Sequence, residues 1–323
     1  MNWSVIRTRV LTVALWLLAV PCAVWAVVRL FGLERGYPVV QLMAFTPYVT
    51  VAAVVVAAAG LLTRRWPAGA VAAVAAVSLC AVVLPRAIPD RGSDVDGLVV
   101  RVLSANLLAG SGDERAVLDL VRRLKVDVLA LQEFTPSDAQ GLAAAGVVDV
   151  LPYQAAYPAD GVVGSALLSR YPLRDAALRV HRSNFTQARA TVEVPGAAPV
   201  QMESVHPQAP CCRSVTAGWE RDLRDQPPAT VDGPVRVLMG DFNATLDHAA
   251  LRRLIGTGYR DAADVTGGGF RSTWPYDEKW FVPGVALDRV LADRRVGVRT
   301  ARPYRVPGSD HKALYAELVL PAA

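Results

Sequence analysis

Three stretches of this chain carry no charged residue, and they limit its fold more than any other feature: Val10–Val28, Val39–Leu62 and Pro67–Pro85, of 19, 24 and 19 residues. A helix rises about 1.5 Å per residue, so about 20 residues cross a hydrocarbon core about 30 Å thick. Arginines bracket each stretch: Arg9 and Arg29, Arg35 and Arg64, Arg65 and Arg86. Trp3, Trp16, Trp25 and Trp66 lie in or beside them, and Trp66 suits an interfacial position. Residues 1–89 therefore read as an all-α membrane anchor with three predicted transmembrane helices, about 10–28, 39–62 and 67–85. A cleaved signal peptide is the poorer reading of the first stretch. Its apolar region is long for that role, and two more spans follow.

Charge divides along the same boundary. Residues 1–91 hold eight Arg and no Lys against Glu34 and Asp90, a net +6. The remainder holds 26 basic against 27 acidic residues, a net −1. The pI near 9.2 thus belongs to the apolar part and is no sign of a nucleic-acid groove. Composition also excludes disorder and a coiled coil. Three uncharged spans leave no ion pathway, which excludes a transporter.

An odd number of spans puts the two ends on opposite sides. With the N-terminus inside, Arg7, Arg9, Arg64 and Arg65 are inside and Arg29, Arg35, Arg86 and Arg91 outside, so the count is balanced. The short Thr63–Trp66 loop resembles an inside turn. The reading favoured is a multi-pass protein of the cell membrane with its C-terminal part extracytoplasmic.

Residues 90–97 form a linker, and residues 98–323 are enough for one large core. Apolar β-branched runs predict strands at Leu98–Leu108, Val126–Leu131, Ser165–Ser169, Ala190–Val194, Val200–Val205, Val235–Met239, Ala286–Leu291 and Ala313–Leu320. Helical spacing is read at Asp113–Lys125, with Asp113 as cap, and at Val215–Arg224 and Leu246–Ile255. The class is mixed α/β.

Polar residues stand where these strands end. Asn106 ends VRVLSAN, Glu133 ends DVLALQE, His206 ends VQMESVH, and Asp241 and Asn243 end VRVLMGDFN. Asp310 and His311 stand in GSDHKALY, before the last strand. Asp288 lies inside the apolar VALDRVLA, where a carboxylate is costly unless paired. Singly, each has an ordinary explanation as a cap, a turn residue or a solvated side chain. As an ordered set they are far less easily accidental. Carboxylates supply the oxygen ligands that Mg²⁺ prefers, and histidines move protons near neutral pH.

The order SAN, LQE, strand-ending His, GDFN, LDRVL, SDH resembles the endonuclease/exonuclease/phosphatase superfamily, over about Leu98–Leu320. The resemblance implies a four-layer α/β/β/α sandwich of the DNase I-like or neutral sphingomyelinase-like kind, with Mg²⁺ (Mn²⁺ as a substitute) and a phosphoester substrate. It implies Glu133 as primary metal ligand, with Asn106 and Asp310 holding or orienting the metal. Asp241 would position and deprotonate the attacking water, Asn243 would bind the phosphate, and His311 would contact phosphate or act in proton transfer. Asp288 would fix the His311 tautomer and raise its pKa, as carboxylates do for catalytic histidines. His206 would be the general acid for the leaving group. Arg189, in FTQARATVEV, matches a phosphate-binding arginine of several members and equally reads as a strand-edge residue. Arg170 reads as structural, and His181 and His248 as surface residues.

GDFNAT rather than GDLNYR points away from inositol phosphatases. A membrane anchor favours a phospholipid, lipid-linked or nucleotide phosphodiester. An extracellular DNase I-like endonuclease and a non-catalytic binding module are the alternatives. Nucleic acid is not supported by the charge, and no protein partner is inferable. The aromatic loop TWPYDEKWF, with Trp274, Tyr276, Trp280 and Phe281, reads chiefly as packing, with lipid contact or base stacking as the functional alternative. Adjacent Cys211 and Cys212 read as a strained vicinal disulfide or as two thiols, and no CxxC spacing suggests structural zinc.

Overall fold

The computed structural model describes residues 3–90, 95–276 and 281–323, and the chain divides into two compact units. Trp280 and residues 91–94 of the linker lie outside the described residues.

The first unit comprises Met1–Arg86 together with Leu246–Ala249. Its helices are α1 (Trp3–Phe31), α2 (Val39–Met43), α3 (Thr46–Leu62) and α4 (Trp66–Val83). Residues 39–62 are therefore not one span. Pro47 has no N–H to give to the Met43 carbonyl, so an unbroken helix is disfavoured there. Thr46 Oγ1 donates to that carbonyl at 2.8 Å and accepts from Trp25 Nε1 at 3.0 Å. This leaves α3 with 17 residues. Among the described residues, Ile6–Phe31 and Trp66–Ala87 are long and apolar enough to cross a membrane, whereas Thr46–Leu62 is apolar but shorter.

Small residues bring these helices together. Leu15 and Ala19 of α1 pack with Val56, Ala57, Ala68 and Ala72. A Cβ on Gly60 would stand 2.5 Å from Gly69 Cα, so the close approach of α3 and α4 needs glycine there. Asp247 is buried in this unit between two arginines. It accepts from Arg29 Nε at 2.6 Å and from Arg86 Nη1 and Nη2 at 2.8 and 2.6 Å. Burial alone would raise its carboxyl pKa; Arg86 and Arg29 outweigh that and hold it below the usual range. His248 is buried too, its Nε2 2.8 Å from the Val40 carbonyl oxygen, and is not the surface residue expected.

The second unit comprises Ala87–Thr245 and Ala250–Ala323. Its strands are β1 (Gly97–Asn106), β2 (Val128–Gln132), β3 (Tyr153–Tyr157), β4 (Ser165–Ser169), β5 (Leu173–Val180), β6 (Thr186–Val192), β7 (Val200–Val205), β8 (Val235–Asp241), β9 (Tyr259–Asp261), β10 (Asp288–Asp293), β11 (Gly297–Arg305) and β12 (Lys312–Pro321). Its helices are α5 (Glu114–Leu124), α6 (Pro136–Ala144), α7 (Thr216–Arg224), α8 (Ala249–Gly256) and α9 (Ala262–Val265). Asp113 caps α5 as expected, accepting from Arg115 N at 3.0 Å and Ala116 N at 3.1 Å.

Two six-stranded mixed sheets run β11-β12-β1-β2-β4-β3 and β5-β6-β7-β8-β10-β9. Each has one parallel pair, β1 with β2 and β7 with β8. The core between the sheets joins Val100, Val102 and Leu318 to Ala188, Met202 and Val237. A second core packs Val117 and Val121 of α5 against Leu103, Leu129 and Leu131. This is the expected α/β sandwich, and its parallel strands end where the polar motifs begin.

Candidate functional site

The β1 end supplies Asn106, whose Nδ2 donates to Glu133 Oε1 at 3.0 Å and to Asp241 Oδ2 at 3.2 Å. One amide thus ties the ends of β1, β2 and β8 together, across both sheets. Glu133 follows β2 with φ +55°, and Asn243 follows β8 with φ +48°. Non-glycine residues in the left-handed region cost energy and collect at functional sites. Gly240 is required by space: a Cβ there would stand 1.9 Å from the Val205 carbonyl oxygen. The glycine of GDFN thus lets β8 lie against β7 and delivers Asp241 to the site.

His311 is the centre of the charge arrangement. Its Nδ1 is 2.8 Å from Asp288 Oδ2, and its Nε2 is 3.6 Å from Asp241 Oδ2 and 3.9 Å from Asp310 Oδ1. Burial lowers the imidazole pKa, but Asp288 and Asp241 outweigh it and raise the group to about 10. His206 is the opposite case. Its Nε2 lies 3.8 Å from both Glu133 Oε1 and Asp241 Oδ2, and Phe185 stacks edge-on at 5.1 Å. Burial dominates there and takes its pKa down to about 4. Burial thus favours the neutral ring. Burial also pushes the Asp241 carboxyl up, and raises Glu133 to about 7 against the opposing Asn106 hydrogen bond.

Several residues have supporting roles that the sequence does not announce. Ser309 Oγ donates to the Asn106 carbonyl at 2.8 Å and accepts from His311 N at 3.0 Å, joining SDH to SAN. Trp274 Nε1 donates to Asp310 Oδ2 at 2.9 Å, so this aromatic orients a site carboxylate. Thr273 Oγ1 accepts from Asp288 N at 3.1 Å. Trp219 of α7 is buried and donates to the Asn243 carbonyl at 3.0 Å. The Ser of SDH and the Trp of TWP are the available signals, but neither residue type announces a positioning role.

Two expectations change. Arg189 is exposed on β6 and lines a hollow with Asp175, Gln201, Glu203 and Arg236, none of them a residue of the group around Asp241. The β6 residue that reaches the site is Gln187, two positions earlier on the strand. With its amide turned to match its neighbours, its oxygen accepts from His206 N at 2.9 Å and its nitrogen donates to Glu203 Oε1 at 2.8 Å. His181 is buried, with Nδ1 3.7 Å from Asp222 Oδ1, and is not a surface residue.

Asp241, Asp288 and His311 bring possible metal-ligand atoms within 4.8 Å of one another. Asp288 Oδ2 and His311 Nδ1 are already bonded to each other, however. Glu133 Oε2, Asp310 Oδ1 and Asp288 Oδ1 are buried carboxylate oxygens with no hydrogen-bond partner. Buried charge left uncompensated is costly, and hard divalent cations take such oxygens. The residues fit a divalent metal ion, with Glu133 and Asp310 offering carboxylate oxygens not already engaged.

The family model of the Endonuclease/Exonuclease/phosphatase family matches residues 103–311. The chain belongs to this family. Endonuclease/Exonuclease/phosphatase members generally hydrolyse phosphoesters and typically use divalent metals. Solved structures similar in fold include the following three. Humanized D. rerio TDP2 is 16% identical, covering 68% of this chain and 98% of that one, at TM-score 0.55. Truncated Caenorhabditis elegans TDP2 is 18% identical, covering 70% and 100%, at TM-score 0.53. An endonuclease/exonuclease/phosphatase from Beutenbergia cavernae is 19% identical, covering 69% and 72%, at TM-score 0.53. Among curated proteins no sequence matches.

Proposed function

We propose that this chain is a Mg²⁺-dependent phosphodiesterase, anchored in the membrane by its N-terminal helices with the hydrolase unit outside. The observation that carries the chemistry is the meeting of Glu133 and Asp310 oxygens that lack hydrogen-bond partners with the Asp288–His311 pair beside Asp241. A bound divalent cation would neutralise charge on the phosphoryl oxygens and make the phosphorus more electrophilic. Glu133 and Asp310 would hold it, with Asn106 orienting Glu133.

Asp241 accepts a proton from the attacking water. Neutral His206, 3.8 Å from Asp241, is a second acceptor for that proton. Cationic His311 donates, first as a hydrogen bond to a phosphoryl oxygen and then as a proton to the departing oxygen. Asp288 keeps its Nδ1 side occupied, so that Nε2 faces the substrate. Asn243, held by Trp219, adds an uncharged donor for the phosphate.

The anchor is supported by the exposure of Leu17, Val20, Val24, Val74 and Val77, apolar side chains on two helices of membrane-spanning length. A phospholipid, lipid-linked or nucleotide diester suits an enzyme held at a bilayer. The test is turnover of a chromogenic phosphodiester by the full chain in detergent. Asp241→Asn is expected to abolish turnover while cooperative thermal unfolding is retained; full activity in that variant contradicts the assignment. A C-terminal reporter that works only in the cytoplasm contradicts the orientation.

A further inference from the structure

Cys211 and Cys212 are exposed in the segment between His206 and α7, with their sulfurs 3.9 Å apart. Cys212 Sγ is 3.2 Å from Ser214 Oγ, and Arg213 is the next residue. The other two cysteines, Cys22 and Cys80, lie in α1 and α4 of the first unit. The backbone of the exposed pair also starts α7. The Cys212 carbonyl accepts from Thr216 Oγ1 at 2.8 Å, from Thr216 N at 3.2 Å and from Val215 N at 3.3 Å.

Helix α7 has two attachments to the site. Trp219 Nε1 donates to the Asn243 carbonyl at 3.0 Å, and Asp222 Oδ2 accepts from Gln208 N at 3.1 Å, two residues after His206. Any change at Cys212 that turns its carbonyl therefore acts on the first turn of α7, and through α7 on Asn243 and the chain after His206.

We propose that Cys211 and Cys212 form a thiol modification site that exchanges with small-molecule disulfides, and that its oxidation loosens α7. Cys212 thiolate attacks the small disulfide, forming a mixed disulfide and releasing one thiolate. Cys211 thiolate then attacks the Cys212 sulfur, forming the Cys211–Cys212 bond and releasing the second. The cysteine pair loses two protons and two electrons, and the small disulfide is reduced to two thiols. Accessible thiols beside a resolving cysteine are the ones that undergo this chemistry. The Ser214 and Cys211 hydrogen bonds lower the Cys212 thiol pKa, whereas burial and then Cys212 raise that of Cys211. Cys212 is thus the first nucleophile and Cys211 the resolving thiol. Adjacent cysteines close a small ring only with distortion of the peptide between them, and that peptide leads directly into the α7 start. The effect on catalysis rests on the reading of Asn243 and His206 as site residues; the thiol chemistry does not.

The test uses the full chain in detergent with oxidised glutathione, followed by trypsin and mass spectrometry of the peptide Ala190–Arg213. The expected product lacks two hydrogens and is restored by dithiothreitol, while Cys211→Ser stops at the glutathione adduct on Cys212. Two unreacted thiols, or faster reaction in Cys212→Ser than in Cys211→Ser, overturn the site. Hydrogen exchange of the α7 amides reads the second half without any activity. Faster exchange in the oxidised protein is expected, and unchanged exchange overturns the link. Absence of phosphodiester turnover in both redox states counts against the proposed function and leaves these two readouts valid.

Discussion

Asp288 and Asp241 face each other in register across β10 and β8, and they hold His311 from opposite sides of its ring, at 2.8 Å from Nδ1 and 3.6 Å from Nε2. One antiparallel rung therefore sets the histidine's orientation and its charge.

Asp288→Asn keeps the shape of that rung and removes the charge. The His311 pKa, raised to about 10 in the native protein, is expected to fall because burial is then less opposed. The expected loss in kcat is about 10²–10⁴-fold, the range of general acid–base contributions, with KM less affected. Steady-state kinetics on a chromogenic phosphodiester checks this. Unchanged kcat in a folded variant contradicts the role given to Asp288.

Trp274 Nε1 donates to Asp310, a proposed metal ligand, at 2.9 Å from its Oδ2. Trp274→Phe keeps most of the packing and deletes the N–H. Supporting partners of metal ligands contribute about 10–100-fold in metal affinity, and a loss of that size is expected. Calorimetric titration with Mn²⁺ measures it. Equal affinity in the variant shows that Asp310 needs no such support.

Arg295 closes the loop before β8. Its Nη1 donates to the Val231 and Gly233 carbonyls at 3.0 and 2.9 Å, and its Nη2 reaches Asp293 Oδ2 at 2.6 Å. Burial would raise the Asp293 carboxyl, but its bonds to Arg295 outweigh that and hold it below the usual range. A carboxyl depressed by folding contributes stability above its unfolded pKa, and that stability is lost as pH falls through the folded value. Asp293→Asn is expected to unfold at lower temperature near pH 7 and to lose less stability on acidification. Melting curves from neutral to acid pH check it; parallel curves for both proteins contradict it.

Within the first unit, Asp247 is the shared partner of Arg29 and Arg86. Breaking a buried ion pair leaves charge uncompensated and costs about 3–5 kcal/mol. Asp247→Ala is expected to lower the unfolding temperature in detergent markedly. An unchanged midpoint shows that water or detergent solvates both arginines.

Strand ends and chemistry are legible together in the sequence, because Asn106, Glu133, His206 and Asp241 each end or follow an apolar run that a buried strand explains. Ser165–Ser169 and Val200–Val205 match β4 and β7 to the residue. Strand β5 is not legible. Leu173–Val180 is mostly exposed or half-buried, with Arg174, Asp175 and Arg179 in it, so no clean alternation marks it. The break between α2 and α3 lies just before Pro47, hidden by the uniform hydropathy around it. His181 and His248 read as surface residues because their partners, Asp222 and the Val40 carbonyl, are remote in sequence. Arg189 and Gln187 differ by two positions on one strand, and the motif match picks out the exposed one.

The proposed phosphodiester hydrolysis requires Glu133 and Asp310 to hold a divalent cation. Turnover of a chromogenic phosphodiester by the full chain in detergent, titrated with Mg²⁺ after chelator treatment and run beside Glu133→Gln, probes that dependence. No turnover in chelator, saturable recovery with Mg²⁺ or Mn²⁺, and no recovery in the variant are expected. Turnover that persists in excess chelator, or that Glu133→Gln retains in full, would contradict the metal-dependent mechanism.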